Sequence, residues 1–504
     1  MDGDTLNRRK FRASLPAIAL LLFGLLVLKP PPAHTIVPYD STDRSESTPN
    51  SKRAPLPEPT DFEMLVGMLG HAEAWQRLYG NELATRNARA HTSVSRVEAT
   101  ILPTSNTLTH RRYLPLVQRQ DVTFLVERRA IWITRYDWTQ MGRAPAPESL
   151  DAMVAKIAAA GFNTIFFQVR AAGDAYYTPG LEPWASRLTG SLSHTLGQDP
   201  GWDPLARMIA AGEAAGIEIH AWVNVYPAWL PPPEGHGELW PPATTPPQMF
   251  DRFTYGPENS AHPGQYGLSW EWRQYDTRGP MPLTRSSYLW ATPGHDLVNG
   301  HVAAVVRDII QRYPVDGLHL DLVRYAGPGY SYDPASNAAA GEIKSPARDQ
   351  WQRDRITALV RQVTLETEAA RPGTMVSAAV WPIYVDRWGW GGRAGYADYY
   401  QDSKGWLVTE SVDAIVPMLY GFTADDAGRW EILMHDFLAD SGGRPVFPGI
   451  GTHYNDFNAI AWRIETARAA GAQGHALFSY GALNTQDYWD DLATGPYRIP
   501  AVLP

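Results

Sequence analysis

From residue 122 onward, apolar positions alternate between two spacings. Short runs rich in β-branched and aromatic residues repeat every second position. Between them lie longer stretches with apolar residues three or four apart. The first spacing predicts strands and the second predicts amphipathic helices. Strand-like runs occupy Arg128–Tyr136, Asn163–Arg170, Ile217–Tyr226, Asp316–Tyr325, Thr374–Pro382, Asp413–Phe422, Pro445–His453 and Gly474–Leu483. Helical stretches follow them, at Ser149–Gly161, Asp203–Gly216, Gly300–Tyr313, Arg348–Ala370, Tyr400–Val412, Ala427–Gly442, Asp456–Gly471 and Gln486–Ala493. Boundary chemistry supports several of these: Asp203 is placed as an N-cap, and Gly161 and Gly216 as glycine stops. Eight strands alternating with eight helices predict an α/β fold with an all-parallel sheet, closed into a (β/α)8 barrel.

Two connections exceed what a barrel needs. Ala171–Trp202 follows the second strand, and Leu230–Asn299, rich in Pro, Gly and Trp, follows the third. Both leave the C-terminal ends of strands, where barrel active sites are built.

Polar residues inside the strands carry the candidate chemistry. In "DGLHLDLVRY", Leu318 and Leu320 face the helices, so alternation turns His319 and Asp321 into the barrel, with Arg324 and Tyr325 on the rim. A carboxylate there costs several kcal/mol unless it is paired or hydrogen-bonded. The structural alternative is an internal ion pair with Arg170 or Arg324. The second strand turns Gln168 and Arg170 inward, and Asp174 follows on its loop. The third places His220, Trp222 and Asn224 on one face. The fifth ends at Trp381, the sixth at Tyr420, the seventh at His453, and the eighth carries Ser479 and Tyr480. Convergence of His220, Asn224, His319 and Asp321 at one rim predicts an active site. A His220–His319–Asp321 zinc site is the competing use of these groups, although the histidines lie on separate strands. No G-x-S-x-G elbow, P-loop or dinucleotide fingerprint follows a strand, so no cofactor is expected.

The chain before residue 122 reads differently. Arg8, Arg9, Lys10 and Arg12 precede an apolar run, Leu15–Leu28, that is shorter than the roughly 20 residues a spanning helix needs. Residues 1–34 therefore read as a signal peptide, or as a retained anchor since no A-x-A site follows; the arginine pair is compatible with a twin-arginine signal. Residues 35–121 read as a largely disordered linker with a short helix, and 122–504 as the barrel domain. The expected location is extracytoplasmic, secreted or in the cell envelope, with membrane contact only through a retained N-terminus. Net charge of −9 argues against nucleic acid as a partner. The absence of cysteine removes disulfides, thiolate chemistry and a lipobox. Nineteen tryptophans suit stacking on sugar rings as well as a large core.

The stretches "GFNTIFFQVRAAGDAYY", "LEPWASRLTG", "DPGWDPLARMI", "IEIHAWVNVYP", "VDGLHLDLVRY" and "QDSKGWLVTESVDAIVPMLY" resemble the glycosyl-hydrolase-like 10 family over about Arg129 to Tyr488. That group comprises exported (β/α)8 proteins and includes enzymes that cut peptidoglycan glycan strands. The resemblance implies a glycan substrate and a site lined by Arg170, Asp174, His220, Asn224, His319, Asp321, Arg324 and Tyr420. Two positions depart from the family pattern. Met418 stands where members carry Gln, and Gly421-Phe422 follow Tyr420 where members carry an aromatic residue and an acid. The second catalytic carboxylate is thus left open. Glycoside cleavage uses two carboxyl groups. Asp321, kept ionised by Arg170 or Arg324, is the candidate nucleophile or base. Asp425 or Asp426, then Asp174, are the candidates for the acid. Tyr420 and Asn224 are placed to bond hydroxyls, and Trp222 and Trp381 to stack on a ring or simply to pack the mouth. A non-catalytic glycan-binding barrel and a metal-dependent hydrolase or deacetylase are the alternative functions.

Overall fold

The computed structural model describes residues 124–504, apart from 192, 193 and 422. The expected signal segment and linker lie outside the described residues. Eight parallel strands form one sheet: β1 Arg128–Ile133, β2 Thr164–Arg170, β3 Glu218–Asn224, β4 Gly317–Asp321, β5 Met375–Val380, β6 Ala414–Pro417, β7 Gly449–Gly451 and β8 Gly474–Phe478. Their order is β6-β5-β4-β3-β2-β1-β8-β7. The seam between β6 and β7 is closed just ahead of β7, where Ile415 donates to the Pro445 carbonyl (3.2 Å) and Phe447 to the Ile415 carbonyl (3.0 Å). The result is a nearly closed (β/α)8 barrel, with "GLHLD" as its fourth strand.

The outer layer comprises α1 Pro147–Ala159, α2 Pro204–Ala215, α3 Asp296–Arg312, α4 Pro346–Ala370, α5 Ser403–Val408, α6 Ala427–Ala439 and α7 Phe457–Ala469. Helix α2 shows how sequence sets these limits. Asp203 accepts from the Ala206 amide at its start, and Gly216 ends it in the left-handed region at φ 69°. Asp203 also accepts from the Thr178 amide (3.1 Å), the Thr178 hydroxyl (2.6 Å) and the Tyr313 hydroxyl (2.6 Å). It therefore ties the loop after β2 to the end of α3. Asp203→Ala is expected to cost about 2 kcal/mol, read as a lower urea midpoint at unchanged m-value.

The last strand is shorter than its apolar run suggests. β8 stops at Phe478, and Tyr480–Gln486 forms a helix, α8, followed by α9, Trp489–Thr494. Alternation alone does not separate a strand from the first turn of a buried helix. Two excursions lack a periodic signal. One after β4 holds a short helix, Pro334–Ala340, and one after β5 runs to α5.

Inside the barrel, side chains stack in layers. The bottom layer holds Arg128, which donates to Thr164 and pairs with Glu218, with His220 beside them. In the middle, Trp132 of β1 contacts Phe166, His319, Tyr420 and Phe478, at ring separations of 5.4–6.0 Å. His319 stacks on Phe166 at 4.1 Å. Above them, at the C-terminal ends, lie Gln168, Trp222, Asp321 and Tyr420.

Candidate active site at the C-terminal mouth

Asp321 is the last residue of β4 and is paired in register with Asn224 of β3. Leu322 follows with φ 50°, in the left-handed region. This turn brings its amide onto the Asp321 carboxylate at 2.6 Å. Burial pushes the Asp321 pKa up to about 6, against the Leu322 amide, Arg324 and Trp222, which pull it down. The Trp222 indole N–H lies beside the carboxylate without a partner at full hydrogen-bond geometry. Tyr420 is close enough that the Asp321 charge raises its pKa further, beyond the effect of burial. The expectation that an arginine keeps Asp321 ionised is therefore corrected: desolvation outweighs the nearby cation.

Arg170 is elsewhere. β2 has an irregularity at its end: Gln168 is opposite Trp222, but Arg170 is opposite Val223. The offset reverses the side-chain parity, so Gln168 faces the lumen and Arg170 does not. Arg170 instead forms a buried bidentate pair with Glu182 (2.7 Å for both bonds) and donates to the carbonyls of Asn224, Val225 and Pro227. Glu182 also accepts from His301 of α3 at 2.9 Å. Burial opposes the Glu182 charge, but Arg170 and His301 outweigh it and hold the acid well below the usual carboxylate range. The internal ion pair anticipated for Asp321 thus belongs to Glu182.

The two histidines do not converge with Asp321 at one rim. His220 sits in the bottom layer, with its Nε2 3.4 Å from Arg128 and 3.2 Å from Glu218. His319 is a core group. The Trp132 indole can only donate, so His319 Nε2 accepts it (2.9 Å), leaving Nδ1–H to meet the Ser377 hydroxyl at 3.0 Å. Burial holds His319 neutral. The His220–His319–Asp321 zinc site is therefore not assembled, and no other group of three metal-binding side chains occurs among the described residues.

Asn224 donates to the Ala171 carbonyl at 3.1 Å, and its buried Oδ1 has no partner. Trp381 is packed against Tyr399 at 4.0 Å, and its indole N–H donates to Arg393. Arg324 lies over Trp290, Trp381 and Tyr399, at 5.1, 5.3 and 4.8 Å. His453 packs on Tyr454, and burial pushes it down to about 4. Ser479 lends its carbonyl to Thr452.

Of the three acids considered as proton donor, Asp426 is the N-cap of α6, accepting from the Arg429 amide and pairing with its side chain at 3.2 Å. Asp425 is exposed and acts electrostatically on Tyr454 and Arg463. Asp174 is half-buried on the loop after β2. Burial raises its pKa, while the Ala172 amide (2.8 Å) and Arg135 lower it.

Arg135 was not among the expected site residues. It follows β1 directly and bonds Gln168 (3.2 Å) and the hydroxyls of Tyr136 (2.5 Å) and Tyr288 (2.6 Å). The apolar pattern carries it inside the first strand-like run, Arg128–Tyr136, whereas β1 stops at Ile133 and Arg135 opens a short helix, Arg135–Trp138. Tyr288 and Trp290 belong to the aperiodic insertion, which gives no signal.

The geometry thus brings Asp321, Trp222, Arg324 and Tyr420 together; beside them Gln168 of β2 bonds Arg135, which acts electrostatically on Asp174 of the loop after β2. The sequence profile described as Glycosyl hydrolase-like 10 matches residues 127–228 and 274–436. The chain is 24% identical to "Glycosyl hydrolase YngK" of Bacillus subtilis over 409 residues, covering 75% of this chain and 73% of that protein. It is 25% identical to "Glycosyl hydrolase DigH" of Escherichia coli over 330 residues, covering 60% and 68%. In structure it is similar to the PgaB (BpsB) glycoside hydrolase domain of Bordetella bronchiseptica, with a TM-score of 0.50 at 13% identity, covering 75% of this chain and all of that one. That last likeness concerns the fold.

Proposed function

The chain belongs to the glycosyl-hydrolase-like 10 family, and from that premise we propose that it is an extracytoplasmic glycoside hydrolase cleaving a polysaccharide, with peptidoglycan glycan strands as the first substrate to test. The observation that carries the reading is Asp321: a buried carboxyl at the mouth, with a pKa of about 6. A carboxyl in that range keeps enough of its proton near neutral pH to give it to a leaving oxygen. Asp321 is therefore the general acid. Asp174, with Arg135 nearby, takes the second role, activating water or attacking the anomeric carbon. Trp222 and Tyr420 flank the acid and orient the sugar. The location outside the cytoplasm is supported by the basic and apolar N-terminal pattern.

The pH dependence tests the assignment. If Asp321 donates the proton, kcat/KM for glycan cleavage falls as pH rises through about 6, because the free enzyme loses the acid form. A profile that instead falls on acidification through this range would make Asp321 the base or nucleophile. Incubation of the protein with peptidoglycan glycan strands, with and without chelator, separates the wider alternatives. Chelator-insensitive product supports the proposal. Binding without product indicates a glycan-binding barrel, and chelator-sensitive product a metal-dependent enzyme.

A further inference from the structure

Residues 229–273 fall between the two segments matched by the family profile. They leave the C-terminal end of β3 and return beside the candidate site. The Gln274 amide bonds the Trp290 carbonyl (3.0 Å), and its side-chain oxygen accepts from the Ala326 amide (3.0 Å), five residues after Asp321. Trp290 also carries Arg324 over its ring.

This insertion holds an aromatic cluster. Trp240 and Trp270 are stacked at 6.0 Å and 27°, and Phe250 meets both, at 5.6 and 5.9 Å. The Arg273 guanidinium lies 3.6 Å over Trp270 and donates to the Met281 carbonyl. The Trp229 indole bonds the Leu239 carbonyl at 2.9 Å, fixing the backbone just before Trp240, and Pro241 and Pro242 restrict it just after. Trp240 is nevertheless 41% exposed. Among the described residues, the other exposed tryptophan, Trp462 at 40%, lies on the outer helix α7. A large ring in the insertion that follows β3 is thus held in a fixed orientation yet left partly in water, where full burial would have been more stable.

We propose that Trp240 is a stacking platform for a pyranose ring of the glycan, at a subsite outside the cleavage centre. The proposal rests on the reading of this protein as one that acts on glycans. The apolar C–H face of a sugar covers the exposed indole, and Trp270, Phe250 and Arg273 hold the platform so that little is lost on ordering it. A chain held both here and at Asp321 extends across the mouth, which favours long substrates over short ones.

The test uses the full chain with Trp240→Ala and Trp240→Phe, both at a surface position where folding is retained, as checked by melting temperature. Binding is measured in the Asp321→Asn background with long peptidoglycan glycan strands. Turnover is compared between these strands and their disaccharide fragments. Trp240→Ala is expected to weaken long-strand binding about tenfold and to lower the long-to-disaccharide ratio of kcat/KM by a similar factor, with Trp240→Phe intermediate. If the parent protein binds and cleaves strands and Trp240→Ala matches it, the platform is overturned alone. Binding that depends on Trp240 without any cleavage overturns the hydrolase and keeps the platform. No binding and no cleavage overturns both. A concentration-dependent assembly removed by Trp240→Ala, with glycan affinity unchanged, would make the ring a contact between copies and also overturn the platform.

Discussion

Asp321→Asn is expected to lower glycan cleavage by about a thousandfold or more and to leave the fold intact, or stabilised, at neutral pH. The swap is isosteric, and the Asn oxygen can still accept from the Leu322 amide. The stability effect follows from the raised pKa. The folded state holds Asp321 near 6, against 3.8 as its ordinary value. Ionisation therefore costs the fold progressively as pH rises from about 4 to 6, and the full penalty, on the order of 3 kcal/mol, is present above pH 6. Asn carries no such penalty. The variant should melt higher than the parent at pH 7 and no higher at pH 3. Binding of long glycan strands should persist. A fall in melting temperature at pH 7 with proportionate loss of activity would mean that Asp321 is a structural partner of its neighbours. Full turnover in a stable variant would pass the proton-donor role to another group, Asp174 first.

Glu182→Gln is expected to have the largest effect on stability, a loss of about 3–5 kcal/mol in denaturant unfolding at neutral pH. The change leaves the fully buried Arg170 guanidinium without its only ion-pair partner among the described residues. Replacing Arg170 and Glu182 together by Met and Leu should recover only part of the loss: it removes the unpaired charge, but also the donor to the Asn224, Val225 and Pro227 carbonyls and the acceptor of His301. The pH dependence has the opposite sign to that at Asp321. Glu182 is depressed in the folded state, so its contribution is complete above the ordinary carboxylate range and declines as pH falls toward the folded value. The parent protein should lose more stability on acidification than Glu182→Gln. Equal acid sensitivity in the two would show that the pair contributes little.

What the sequence reveals and what it hides divide along the range of the interactions. Strands and helices were legible because each sets its own period and its own caps: Asp203 and Gly216 limit α2 with contacts only a few residues away. Strand parity correctly sent Trp222, His319 and Asp321 inward. It carried no information on depth, so His220, two residues below Trp222, was grouped with the rim although it lies against Arg128 and Glu218 at the other end. Register was also hidden. One irregularity after Gln168 was enough to send Arg170 to Glu182, twelve residues away on an aperiodic loop. Sequence alone points the pKa of Asp321 in the wrong direction, because a nearby arginine is visible in a sequence and desolvation is not. Asp426 had the spacing of a helix cap as well as the charge of an acid, and the cap is the use the structure makes of it.

The offset at the end of β2 has a consequence for how this protein can change over time. Gln168 and Arg170 are neighbours but one, yet they serve opposite sides of the wall: one reaches the chamber where substrate would lie, the other anchors the surrounding loops through Glu182 and the carbonyls after β3. A lineage can therefore alter what the chamber recognises, by drift at Gln168, Arg135 or Tyr288, without loosening its walls. The reverse is not open to it. Regular pairing of this strand, with Val169 drawn into the ladder, would rotate the arginine into the chamber and strand Glu182, so losing the irregularity would damage recognition and scaffold together. Diversity among relatives should accordingly accumulate as substitutions at the chamber face of this strand, with the offset after Gln168 retained.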